Sequence, residues 1–514
     1  MSLVIAGRVV PLSHDRSVAA DEASTFQGRV WIGDDGLVAA VTHGQRAGPA
    51  GFDDAPRVDV GKHLVLPGFI DLHSHLAYAT LPLWSDPSRT VPYPNHNAWP
   101  GRPSYPASIT WPAYAILTAA PEALLAYAEV RALVGGTTAI QGSPPSNRPL
   151  DGWLIRNVED ERLGQVLRAD RVLASTLTLK PDVLGTRAGQ MRNGSAFFYH
   201  CAEGQHDSIV TREYGDLQTT GCLQRQLVLI HGCALGAEAF AAWREPGTLV
   251  WSPFSNLWLY GETTDIPAVI ERGVNVCVGS DWGPSGTRNV LGELKVAALV
   301  ADEKGWALSP FDLVRMITCN PGDALTAAWG RQAGRLQPGA LGDVVVVASS
   351  GSGNAFKRVL DATEQDIELV VVAGRPLYGT AALMKKAKAS DTAALRVAGK
   401  PRRLSMTHLD DGGAAWTFDE VLERIEQVRS HPREEIEKAR NKAFAGALRG
   451  EPAGLRLALD MPTGKVPIGG LPKDLGRIVV PPIQPLAHDD DFFAAVEEGG
   501  FHGGLLNRLS AFYA

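Results

Sequence analysis

Between residues 65 and 331 the chain alternates short apolar runs of β character with helical stretches, and this alternation narrows the possible folds more than any other feature. The runs are LPGFIDLHSHL, TTAIQGS, LIRNVE, RVLASTLTL, AFFYHCAE, LVLIHG, LVWSPFS and NVCVGSD. Strands separated by helices pair in parallel. Eight of them is the number that closes a (β/α)8 TIM barrel, so the predicted class is α/β. LIRNVE is the ambiguous member, because it equally starts the helix that follows. One connecting helix has defined ends. Pro121 suits a first helical position, Leu124, Leu125, Ala128 and Ala132 share one face, and Gly135-Gly136 stop it.

Both flanks of this region carry a different pattern. LVIAGRVV, RVWIGDDGLVAAVTHG and RVDVGKHLVL precede it, and AGRLQPGALGDVVVVAS and DIELVVVAGRPLYG follow it, all with Gly/Asp turns between β-type runs. The two ends are expected to form one discontinuous β domain, residues 1–64 plus 332–380, beside a barrel of residues 65–331. Residues 381–514 turn helical and charged and are expected to be a mainly helical C-terminal extension. Within it Thr417 and Glu420 form a capping box with Trp416 and Val421 as its staple. Phe418, Val421, Leu422, Ile425 and Val428 then trace a packing stripe. The acidic run at Asp489–Asp491 lacks the Gly and terminal Glu of a calcium loop and reads as the solvated start of a short helix.

Composition removes several classes of function. Lys+Arg 49 against Asp+Glu 56 gives a net charge of -7, which argues against a broad phosphate-binding face and against nucleic acid. The five cysteines contain no CxxC pair and fit a reduced, cytoplasmic setting. The N-terminal apolar run is interrupted by Arg8 and reads as a strand rather than a signal peptide. No window reaches the ~18 apolar residues of a membrane span.

Chemistry concentrates at the C-terminal ends of the predicted strands, where barrel enzymes place their sites. His73 and His75 are two apart at the end of the first and so share a face. His200 ends the fifth strand, His231 the sixth and Asp281 the eighth. Alone, an HxH pair is weak evidence. Four imidazoles and a carboxylate converging on one mouth make a nitrogen-and-oxygen site suited to Zn²⁺ or Fe²⁺.

PGFIDLHSH, HCAEG, IHG, GSDWGPSG and NPGDALTAAWGRQAGRLQPGALGDVVVVA resemble the amidohydrolase superfamily, in particular its branch of cytosine and guanine deaminases and triazine hydrolases. The resemblance covers residues 1 to about 380. It implies that the discontinuous β domain is a β-sandwich and the barrel catalytic, that His73, His75, His200 and Asp281 bind one metal, that Glu203 carries a proton, and that His231 sits beside the attacking water. In the implied reaction Asp281 accepts a proton from that water, His231 orients it or stabilises developing charge, and Glu203 protonates the ring nitrogen or leaving group. The expected activity is hydrolysis of a carbon–nitrogen bond other than a linear peptide, most readily deamination of a heterocyclic or amidine-like small molecule. The expected partners are that substrate and a second copy of the chain in a homodimer.

Two rivals stand beside this reading. In a binuclear cyclic-amide hydrolase, Lys180 at the end of RVLASTLTLK would bridge two metals and His200 and His231 would bind the second. The three-residue spacing of His200 and Glu203 differs from the two-residue spacing of hydantoinase-like enzymes. The other rival is a non-catalytic barrel serving as a binding module, a class that typically loses ligands retained here. SPFSN, Ser252–Asn256, matches a family signature of the seventh strand and is expected either to shape the pocket or to form a turn. The loop Leu81–Pro112, with Trp84, Tyr93, Trp99, Tyr105 and Trp111, either presents aromatic faces to a flat substrate or packs itself onto the barrel. His96 within it is expected to be solvated.

Overall fold

The computed structural model describes residues 2–12, 25–147, 154–159, 171–406, 416–463, 471–499 and 501–513. Four strands come first: β1 (Leu3–Val9), β2 (Phe26–Ile32), β3 (Val38–His43) and β4 (Arg57–Pro67). Eight short ones follow, β5 (Phe69–Asp71), β6 (Thr137–Ile140), β7 (Arg156–Asn157), β8 (Val172–Ser175), β9 (Ala196–Cys201), β10 (Leu227–His231), β11 (Thr248–Trp251) and β12 (Asn275–Val278). The last are β13 (Val344–Val347), β14 (Ile367–Val372), β15 (Arg375–Gly379), β16 (Thr392–Val397) and β17 (Lys400–Ser405).

The two chain ends meet in one nine-stranded sheet of order β16-β17-β15-β14-β13-β4-β1-β2-β3. β13 joins the halves by pairing antiparallel with β4, Val345 opposite Leu66. Period-two alternation gives this sheet two apolar faces. Leu3, Ile5, Val344, Val346, Leu369 and Val371 share one buried cluster, while Leu64, Leu66, Val345, Val347 and Val370 turn to the main core. The hairpin β16–β17 extends the sheet past residue 380, into the segment expected to be helical. Its charged run, Lys400–Ser405 with Arg402 and Arg403, obscured a strand whose alternate side chains are buried.

The eight central runs are all strands, and all their pairings are parallel, in sheets ordered β12-β11-β10-β9-β8 and β5-β6-β7. LIRNVE contributes the two-residue β7; the helix it was alternatively expected to start falls on residues outside those described. A parallel bridge from Ser74 to Asp281, with the Asp281 N–H donating to the His73 carbonyl at 2.8 Å, ties the β12 edge to the β5 edge. Ile70, Ala139, Val158, Val172, Phe198, Ile230, Val250 and Cys277 meet in one cluster to which every one of these strands or its immediate end contributes. Phe197, Tyr199 and Cys201, on the other face of β9, belong to the surrounding core. All five cysteines are free and buried.

The helix Pro121–Val134 begins and ends where its sequence signals place it. The Thr417–Glu420 capping box is formed, and the helix Phe418–Ser430 buries Phe418, Val421, Ile425 and Val428. The extension is docked by polar ties as well as apolar packing: Arg424 donates to the Ala119 carbonyl at 2.7 Å, and Phe492 packs on Phe254. Asp489 is not solvated as expected; it forms an ion pair with Arg288. Among the described residues no helix is long and apolar enough to cross a membrane.

One buried carboxyl in this scaffold carries a stability prediction. Glu293 accepts hydrogen bonds from the Phe254 N–H at 2.7 Å and shares a contact of 2.6 Å with the Thr287 hydroxyl, and burial raises its pKa to about 8 from 4.5. The native state therefore holds a proton that the unfolded chain has released between those values. Stability should fall as pH rises across that window, by about 1.4 kcal/mol per unit at most for one group. Glu293→Gln keeps the shape and the donor to Thr287, so its denaturation midpoint should depend less on pH between 5 and 8 than that of the natural protein; parallel dependences would contradict this.

Candidate metal and catalytic centre

The five predicted residues come from four strand ends and meet at one point. His73, His200 and His231 offer ring nitrogens within 4.8 Å of one another, and His73, His75 and Asp281 form a second such group. His73 Nε2 lies 3.1 Å, and His75 Nε2 3.7 Å, from Asp281 Oδ1; His231 Nε2 lies 3.8 Å from Asp281 Oδ2. β5 is shorter than expected and ends at Asp71, so His73 and His75 lie just beyond it. What holds them is the Asp281 bridge and Gly142, whose carbonyl accepts from the Leu76 N–H. A Cβ at Gly142 would lie 1.7 Å from the Ser74 oxygen, so only glycine admits this approach.

Three residues at this mouth adopt the left-handed backbone region without being glycine: Ala202, His231 and Asp281, with φ of 52°, 69° and 56°. Such conformations cost on the order of 1–3 kcal/mol each and persist where surrounding structure enforces them. Here they turn the chain sharply just where a strand ends.

Hydrogen bonding assigns the ring tautomers. His200 Nδ1 faces the Ser175 carbonyl at 3.4 Å, and His75 Nδ1 faces Asp460 Oδ2 at 2.9 Å. Both acceptors require Nδ1–H, which leaves each Nε2 with its lone pair. Those two Nε2 atoms are buried and, among the described residues, have no hydrogen-bond partner. Unpartnered basic nitrogens beside a carboxylate are what a Lewis-acidic ion satisfies, so the donor set fits a divalent metal. His231 is built the opposite way. The Trp251 indole N–H donates to Thr263 Oγ1 at 2.7 Å, Thr263 donates to Asn256 Oδ1 at 3.5 Å, and the Asn256 amide nitrogen lies 3.2 Å from His231 Nδ1. Placed in this way, the Asn256 amide donates to Nδ1, and the proton of the neutral ring sits on Nε2, which faces Asp281 and Glu203.

Burial drives the pKa of His73 down, that of His200 well down and that of His231 to about 3, so these imidazoles are neutral. Burial opposes protonation of His75, but the Asp460 carboxylate beside it raises its pKa above the usual imidazole value. Burial opposes ionisation of Asp281, but the charge and hydrogen bond of His73, with His231 and His75, hold its carboxyl far below the usual carboxylate range. Glu203 differs: burial lifts it to about 7, against the lowering influence of His96. Its Oε1 accepts from the Tyr260 hydroxyl at 2.5 Å, Tyr260 accepts from the Trp99 indole at 3.1 Å, and its Oε2 lies 3.7 Å from His231 Nε2.

Several expectations are resolved by this geometry. SPFSN opens the helix Pro253–Tyr260, which supplies both Asn256 to His231 and Tyr260 to Glu203. The five aromatic residues of Leu81–Pro112 are all buried, and Trp84, Tyr93, Trp99 and Tyr105 pack on one another or on Trp282, which is the packing alternative. His96 is not solvated: its ring nitrogen lies 3.0 Å from Glu213 and its N–H donates to the Glu203 carbonyl. Lys180 does not end a strand; β8 stops at Ser175 and Lys180 is exposed at the start of the helix Pro181–Arg192. Sequence reading missed Tyr260, Asp460 and Glu159. The last lines a cavity of about 370 Å³ with Gln141, Thr176, His75, His200 and Asp460. Leu455, Leu457 and Leu459 alternate before Asp460, a strand-like pattern ending in a carboxylate that was the available signal.

Residues 189–377 match the amidohydrolase family. A 5-methylthioadenosine/S-adenosylhomocysteine deaminase of Pyrococcus abyssi is 31% identical over 159 residues, 29% of this chain and 36% of its own length. One from Syntrophobacter fumaroxidans is 26% identical over 351 residues, 61% of this chain and 78% of its own. The alignment thus spans about a third of one curated relative and most of another. In fold the chain is similar to a zinc-bound adenosine deaminase from Xanthomonas campestris, with a TM-score of 0.56 at 17% identity over 84% of this chain and 98% of that one. Residues 189–377 are thus similar to the amidohydrolase family, and the fold is similar to those of an adenosine deaminase, guanine deaminases and a triazine hydrolase.

Proposed function

We propose that the chain is a metal-dependent amidohydrolase that hydrolyses a carbon–nitrogen bond other than a linear peptide, by deamination of a heterocyclic or amidine-like small molecule. The deaminase names of its relatives support the reaction class. The observation that carries it is the convergence of His73, His75, His200, His231 and Asp281 beside a carboxyl, Glu203, poised near neutrality. We read residues 65–331 as a (β/α)8 barrel, supported by eight parallel strands in sequence order and their one shared cluster. Residues 1–64 plus 332–380 are read as the β-sandwich domain and 381–514 as an extension.

In this reading His73, His75, His200 and Asp281 hold one divalent ion, Zn or Fe, and His231 does not. A metal in such a site supplies a water acidic enough to attack near neutral pH. Asp281, ionised and in reach of three imidazoles, would hold the metal and could accept a proton from the attacking water. His231 donates from Nε2 and orients the nucleophile or the developing oxyanion. Glu203 can hold a proton near pH 7 and pass it to the departing nitrogen, which otherwise leaves as an anion. Tyr260 fixes the carboxyl for that transfer. The binuclear alternative needs Lys180 inside and an Nε2 lone pair on His231; Lys180 is exposed and the Asn256 relay puts a proton on that nitrogen.

Elemental analysis of protein purified without added metal or chelator tests the reading. About one Zn or Fe per chain is expected, with ammonia released from some member of a panel of heterocyclic amines. About two per chain would overturn the mononuclear site, and none would overturn metal dependence.

A further inference from the structure

The C-terminal extension reaches into the centre itself. Residues 455–463 run across the segments that follow β5 and β6. Leu457 bridges to Ser146, the Ala458 N–H donates to the Pro145 carbonyl at 2.8 Å, and the Tyr105 hydroxyl donates to the Pro462 carbonyl at 2.8 Å. This path carries Asp460 to the ring of His75, whose Nδ1 is 2.9 Å from Asp460 Oδ2. Asp460 is partly buried, its side chain 9% exposed, and with Leu459 it walls the cavity bordered by His75 and His200. A ligating imidazole depends on the partner of its other nitrogen. That partner fixes the ring plane and tautomer and raises the basicity of the donor atom, and its loss commonly weakens metal binding about 10–100-fold. For His200 the acceptor is the carbonyl of Ser175, at the end of a neighbouring strand. For His75 it is a carboxylate that lies more than 380 residues away in sequence, on a segment outside the strands and helices of the central region.

We propose that Asp460 is a positioning residue for the metal site: it locks His75 with its Nε2 toward His73 and Asp281, so that retention of the metal depends on this one carboxylate of the extension. The extension is therefore part of the centre, not an accessory to it. This rests on the metal-site reading above.

The test uses full-length, metal-loaded protein and measures metal content per chain, the rate of metal loss to a chelator, and the melting temperature of the metal-free form. Asp460→Ala is expected to lose metal about 10–100-fold faster than the natural protein. Asp460→Asn, which keeps an acceptor for Nδ1–H but not the charge, should fall between them. Metal-free melting should be the same in all three. Asn147→Ala serves as the docking control, because Asn147 holds the same segment through the Arg456 N–H at 2.7 Å and the Gly454 carbonyl at 3.1 Å without touching Asp460; its metal should leave at the natural rate. Natural retention in Asp460→Ala would overturn the proposal. So would equal loss in Asn147→Ala, or a lower metal-free melting temperature in Asp460→Ala, since either would make the effect one of docking or packing. Natural protein that binds no metal would overturn the metal-site reading and this inference together.

Discussion

Glu203→Gln is expected to retain its metal and its melting temperature while turnover falls by about 10²–10⁴-fold, the range that a positioned proton-transfer group contributes. The substitution is nearly isosteric. The amide oxygen can still accept from the Tyr260 hydroxyl, so the Trp99–Tyr260 chain and the packing around it stay in place. What disappears is a titratable proton on a buried group whose pKa stands at about 7 because burial penalises its charged form. A deamination must protonate nitrogen before it can leave, and Glu203 is 3.7 Å from His231 Nε2, on the side where the attacking oxygen would be oriented. Parallel measurements of kcat, metal content and melting decide the matter. Turnover near that of the natural protein would remove Glu203 from the mechanism. Loss of metal alongside loss of turnover would instead make it a structural support of the ligand set.

Asp281→Asn is expected to abolish turnover and to lower metal content well below one ion per chain after dialysis. Asn is the informative choice. Asp281 has φ of 56°, a backbone region that Asn tolerates and Ala resists, and an amide oxygen can still accept from the Trp282 N–H now bonded to Asp281 Oδ1 at 2.7 Å. The variant therefore keeps its local shape and loses the charge. Asp281 is the one anionic member of the ligand set, the other three being imidazoles, of which burial holds His73 and His200 neutral. Without it the ion loses its anionic ligand and the attacking water loses its base. Elemental analysis and the ammonia assay read the two effects separately; a variant with full metal and full turnover would exclude Asp281 from both roles.

Much of this centre was legible because strand geometry is local. Successive side chains in a strand face opposite sides, so His200 and Phe198 could be assigned to the inner face of β9 and Tyr199 and Cys201 to the outer one from order alone. The cluster memberships follow that alternation. Turn and cap chemistry is equally local, which is why the Thr417–Glu420 box and the helix Pro121–Val134 have the predicted ends. Local pattern failed where charge masked it. The β16–β17 hairpin reads as part of a helical, charged extension, yet it joins the sheet because its partner, β15, offers an open edge. His96 likewise reads as a lone polar residue, and its partner Glu213 lies 117 positions on.

The amino-acid order by itself determined which side chains stand at strand ends, and so which atoms could meet: His73, His75, His200, His231, Asp281 and, three residues past His200, Glu203. Only the tertiary structure decided what each of them is able to do. The proton on His231 Nε2 is set by Asn256 from the following strand–helix turn, the proton on Glu203 by burial beneath Tyr260, and the free lone pair of His75 by Asp460 from the far end of the chain. Protonation and tautomer depend on distance, burial and the direction of a neighbour's hydrogen bond, and those quantities exist only once remote segments have packed together.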